Sequence, residues 1–97
     1  MKNSKVVVPW REGLHLRHAA KLVQVAKFFR SCISLRCGPK IADLRSIVSI
    51  ISLCATMGTT LDVEVQGDDE TDAARAVEMA FASASHATPA ADVIRQS

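Results

Sequence analysis

Between Leu61 and Gln66 apolar and polar side chains alternate without a break: Leu61, Val63 and Val65 fall on one side, Asp62, Glu64 and Gln66 on the other. Successive side chains of a strand point to opposite faces, so this period of two makes a strand with one dry and one wet face. Such a strand needs a layer over its apolar side and water on its polar side. That restricts the chain to a sheet covered on one face.

The same period returns at Cys32–Cys37, where Ile33, Leu35 and Cys37 share a side opposite Ser34 and Arg36. Gly38-Pro39 marks a turn, and Lys40 to Leu44 reads as the returning strand of a hairpin. Lys5 to Val8 is a β-branched run stopped by Pro9, a first strand. Between these lie segments of helical period. Ala19, Leu22, Val23, Ala26 and Phe29 make one apolar stripe, with Arg17, Lys21, Gln24 and Lys27 between them. Ser46 is placed to N-cap a short apolar helix over Ile47 to Leu53. From Glu70 to about Ala84 the residues Ala73, Val77, Phe81 and Ala84 form a third stripe, with acidic residues at its start as the helix dipole favours.

The element order is therefore β-α-β-β-α-β-α, an α+β architecture: one four-stranded antiparallel or mixed sheet with three helices on a single face and Ser34, Arg36 and Asp62 turned to water. Residues 1–84 read as one domain, and residues 85–97, where the pattern fades, as a flexible C-terminal tail.

A chain of 97 residues has room for one compact core and none for a cleft between lobes, which favours a surface site. The net charge of +2 is far from the basic footprint of a nucleic-acid binder, and three Phe with one Trp offer little for base stacking. No apolar run has the length of an export signal or a membrane span. Cys32, Cys37 and Cys54 show no CxxC spacing. They read as reduced thiols of a cytoplasmic protein, packed as small apolar side chains, with no metal or other cofactor implied.

His15 stands where the loop Arg11-Glu12-Gly13-Leu14 becomes the first helix. The first amides of a helix have no intrahelical partner and carry the positive end of its dipole, so an anion is bound there without a dedicated pocket. A phosphoryl group on the ring of His15 would meet the amides of Leu16 and Arg17, and the Arg17 guanidinium matches phosphate oxygens. The same field favours the neutral imidazole that a nucleophile needs. By local chemistry alone, a plain cap or surface histidine is the stronger claimant.

Three segments carry a family resemblance. Gly13-Leu14-His15-Leu16-Arg17-His18-Ala19-Ala20 is similar to the active-site segment of the histidine-containing phosphocarrier (HPr) family of the bacterial phosphotransferase system. Leu44 to Leu53 resembles that family's second signature, around a regulatory serine. Met57-Gly58-Thr59 with Val63 to Glu70 resembles its last strand and loop. The similarity runs from about Lys5 to Ala84. It implies an open-faced β-sandwich and a stoichiometric carrier, not an enzyme in its own right. Enzyme I would phosphorylate His15 at Nδ1 using phosphoenolpyruvate, Arg17 would steady the phosphate, and an enzyme IIA would receive it. It also makes Ser46 a candidate substrate of HPr kinase/phosphorylase, which opens the alternative of a regulatory HPr-like protein with little sugar transport. Ala20, Ile47, Val48 and Ile51 are expected to form an exposed apolar docking patch, ringed by Arg17, Lys27 and Arg45. A monomer is expected, with no nucleic acid and no stable membrane association.

The chain departs from the family pattern at His18, where proline is usual. A neutral surface substitution is the first reading. Tuning of His15, and competition for the phosphate or a metal held with His15, are the others.

Overall fold

The computed structural model describes residues 1–86 of the chain. Seven elements follow the expected order: β1 (Lys2–Val7), α1 (Leu16–Ala26), β2 (Cys32–Cys37), β3 (Lys40–Asp43), α2 (Ile47–Ile51), β4 (Thr60–Gln66) and α3 (Glu70–His86). The strands form one sheet in the order β1-β4-β2-β3, and every pairing is antiparallel. α3 runs two residues past Ala84. Residues 87–97, most of the expected tail, lie outside the described residues.

β4 is central, as its clean alternation requires. Leu61, Val63 and Val65 are fully buried beneath the helices, while Lys5–Asp62 (2.6 Å) and Arg36–Glu64 (2.9 Å) ion pairs cross the open face. β1 begins three residues earlier than the β-branched run suggests. Lys2, Asn3 and Ser4 pair with Val65, Glu64 and Val63, and backbone pairing at a sheet edge leaves no hydrophobic pattern to read. Val8 lies just past the strand. It is buried, its amide donates to Thr59 O (3.0 Å), and its carbonyl accepts from Gly58 N (2.8 Å).

The core lies between the sheet and the helices: Leu22, Val23 and Ala26 from α1, Ile50 from α2, Ala73, Val77 and Phe81 from α3. Burying each of its leucines is worth about 1.5–3 kcal/mol relative to exposure. The thiols do not share this core equally. Cys37 is half-buried against it, but Cys32 and Cys54 are exposed, contrary to the expectation of three packed side chains. Cys32 opens β2 opposite Gln66, and Cys54 follows α2 with a left-handed φ of 52° that turns the chain away.

Candidate functional site

His15 is positioned by the loop between β1 and α1. Gly13 N donates to Trp10 O, and Leu14 N donates to Ala55 O, both at 2.9 Å. Gly13 has φ +80°, and a Cβ there would stand 2.6 Å from Ala55 O, so only glycine lets the two loops approach. Leu14 is buried and pins the loop to the core. The next residue is thereby turned outward. His15 is exposed and extended (φ −88°, ψ 169°), and its carbonyl accepts the first intrahelical bond, from Ala19 N at 2.9 Å.

The side chain of His15 makes no capping hydrogen bond. With Ala19 the first amide bonded back into α1, those of Leu16, Arg17 and His18 lack an intrahelical acceptor. An imidazole and several donors at the positive end of a helix therefore meet at an open surface.

Arg17 is exposed, and its Nη2 lies 3.4 Å from Glu12 Oε2. His18 is not the surface residue that the first reading expects. Its side chain is only 12% exposed, its ring stacks on Trp10 (centroids 4.0 Å apart, planes at 10°), and its Nε2 lies 2.9 Å from the same Glu12 oxygen. Trp10 leans in turn on Phe81 of α3, with ring centroids 5.1 Å apart. The His18 hydrogen bond, followed by the backbone amide of Glu12 itself, holds the Glu12 carboxyl below the ordinary range. Among the described residues no three His, Cys, Asp or Glu side chains gather where they would hold a metal ion.

α2 packs against α1, so the second segment singled out in the sequence lies beside the first. Ser46 caps α2 through its own hydroxyl, which accepts from Ser49 N at 3.2 Å. Val48 is 75% exposed, Ile51 is exposed, and Ala20 is half-buried. Ile47 is half-buried against the core, so it offers less surface than expected. Lys27 is the C-cap of α1, about 18 Å along the helix from His15. Arg45 joins it at that end, where its Nη2 donates to Phe29 O at 2.6 Å. The expected basic ring is thus split between the two ends of α1. Leu16 and Met57, each more than half exposed, extend the apolar surface on the loop side. Neither Glu12 nor Trp10 is singled out by the sequence pattern, because their partner His18 is fixed by stacking rather than by spacing.

Comparison with known proteins agrees with this geometry. Residues 2–83 match the family model described as the PTS HPr component phosphorylation site. The phosphocarrier protein HPr of Xylella fastidiosa is 33% identical over 81 residues, which cover 84% of this chain and 91% of that protein. A solved HPr from Thermoanaerobacter tengcongensis superposes with a TM-score of 0.83 at 32% identity, covering 89% of this chain and 97% of that one. The Bacillus subtilis catabolite-repression protein Crh, described as a swapped dimer, superposes with a TM-score of 0.70 at 32% identity, over 86% of this chain and 95% of that one. An open-faced four-stranded sheet, three helices and a histidine at the start of the first helix, matched over nearly the whole chain, place this protein in the HPr phosphocarrier family of the phosphotransferase system.

Proposed function

We propose that the chain carries phosphoryl groups in the phosphoenolpyruvate-dependent phosphotransferase system, accepting them from enzyme I on His15 and passing them to an enzyme IIA. The observation that carries this reading is the exposed imidazole at the uncapped start of α1. The neutral Nδ1 attacks phosphorus in line, a P–N bond forms as the bond to the donor group breaks, and the transfer asks mainly for position and charge stabilisation. The amides of Leu16 and Arg17 and the Arg17 guanidinium receive the phosphoryl oxygens. Partners dock over Ala20, Ile47, Val48 and Ile51, with Lys27 at the far margin, in a modest and transient interface that suits a shuttle. The protein works in the cytoplasm as a monomer and is recharged after each transfer; it is not itself a catalyst.

Incubation with enzyme I and phosphoenolpyruvate is expected to place one acid-labile phosphate on each chain, and His15→Ala to remove it. Acid-labile phosphate surviving in His15→Ala would overturn the assignment.

A second reading, regulation through Ser46, is favoured by the position of its hydroxyl at the start of α2, beside the docking patch, and by the likeness to the catabolite-repression protein. A phosphate there would add negative charge where partners approach and weaken their docking without moving the backbone. HPr kinase with ATP is expected to make an acid-stable phosphoserine that Ser46→Ala lacks.

A further inference from the structure

One carboxylate oxygen at the entrance to α1 has two donors. Glu12 Oε2 accepts from His18 Nε2 at 2.9 Å and pairs with Arg17 Nη2 at 3.4 Å. The two donors differ in freedom. His18 is clamped between Trp10 and α1, whereas the Arg17 side chain is exposed and able to leave. A lowered pKa keeps Glu12 ionised near neutral pH, so the carboxylate has no proton to give and the hydrogen of the His18 contact must sit on Nε2.

We propose that Glu12, anchored by His18, is a positioning residue that holds the Arg17 guanidinium in the uncharged carrier and yields it to the phosphoryl group once His15 is phosphorylated. The inference rests on His15 being the phosphoacceptor. A phosphoryl group brings more charge and more acceptor oxygens than one carboxylate oxygen, so it wins the guanidinium. Glu12 is not stranded by the exchange, because it keeps its bond to His18. The carboxylate therefore does two things. It keeps Arg17 beside the start of α1 before the phosphoryl group arrives, and it competes for Arg17 afterwards, which makes the group easier to pass on. An exposed ion pair is weak, so the device tunes the transfer equilibrium without trapping either state.

The two members of the pair are expected to act with opposite sign. Glu12→Gln removes the competitor and shifts the equilibrium with phosphorylated enzyme I about two- to fivefold toward the phosphorylated carrier. His18→Phe keeps a ring on Trp10 but takes away the carboxylate's second partner. Glu12 then holds Arg17 alone, and the equilibrium shifts the other way. In the Glu12→Gln background His18→Phe is expected to shift nothing further, a non-additivity that independent structural damage would not produce.

The test has two readouts. In the unphosphorylated protein, the Arg17 Nε–Hε resonance should move between wild type and Glu12→Gln. In the exchange assay, the phosphorylated fraction of wild type and the three variants should follow the signs above, while Glu12→Asp stays near wild type. An Arg17 resonance indifferent to Glu12, or equal phosphorylated fractions in wild type and Glu12→Gln, overturns this inference and leaves the carrier reading intact. A wild-type protein that takes no phosphate on His15 overturns both. Glu12 lies on an exposed turn, so the Glu12→Gln arm decides the matter by itself if His18→Phe unfolds.

Discussion

α1 and α2 both begin at a residue with extended backbone, yet one start is open and the other closed. Ser46 (φ −122°, ψ 112°) turns its hydroxyl back onto Ser49 N. His15 (φ −88°, ψ 169°) makes no such bond, and its ring stands in solvent. The entry geometry is similar; the difference lies in what the side chain does with the orphan amides. A short hydroxyl satisfies one of them and contributes about 0.5–2 kcal/mol to stability. An imidazole that makes no such bond forgoes that contribution and leaves the donors open at the surface. A helix start can therefore be closed by its own side chain or left with open donors, and the residue at one position decides which.

The comparison can be broken most severely at the loop that keeps the α1 start open. Gly13→Ala puts a Cβ 2.6 Å from a backbone carbonyl at a left-handed φ. It is expected to cost at least about 2 kcal/mol, measured as a fall in the denaturant midpoint at unchanged slope. A midpoint within error of wild type would mean that the loop approach does not hold His15 in place.

A smaller and more pointed effect comes from exchanging the chemistry of the two starts. Ser46→Ala is expected to lose about 1 kcal/mol by opening the cap of α2. His15→Asp is expected to gain up to about 1 kcal/mol by closing α1 with a carboxylate on the favourable side of the dipole, while losing all acid-labile phosphate. The two shifts should appear with opposite sign in thermal melts. A destabilised His15→Asp would show that the amides of α1 are not waiting for an acceptor.

The smallest effect separates the two starts by pH. The cap on α2 is a hydroxyl and does not titrate in the acid range, but the approach to α1 contains Glu12. Its carboxyl lies below the ordinary value, chiefly through His18. Asp69, held first by the Ser31 hydroxyl and then by the Arg30 amide, and Glu70, held first by the Gly67 amide, are lowered as well. A folded pKa below the unfolded one gives stability that is complete above the ordinary carboxyl range and is lost as pH falls through the lowered values. The melting temperature is therefore expected to fall on acidification below that range, and Glu12→Gln and Asp69→Asn should each flatten part of the decline.

Much of the fold is legible in the sequence wherever burial imposes a period. The alternation of β4 and the stripe Ala19, Leu22, Val23, Ala26 correspond to buried faces in the structure. Legibility fails where a residue is held by something other than burial of its own face. Lys2 to Ser4 join β1 through backbone pairing alone. Arg45 reads as a free surface cation, yet its guanidinium bonds the carbonyl of Phe29. His18 reads as a substitution on an exposed first turn, yet an indole eight residues earlier covers it. The placement of His15 follows from the glycine and the helix period beside it, whereas the partnership of Glu12, Arg17 and His18 depends on a ring stack that no spacing rule encodes.

That ring stack gives the protein a built-in optical reporter. The chain has a single tryptophan, so all of its indole emission comes from the ring lying against His18. Emission from a stacked indole responds to the motion of its neighbour. Events at the head of α1 can accordingly be followed in real time on the unlabelled protein, with no dye to disturb the surface around His15.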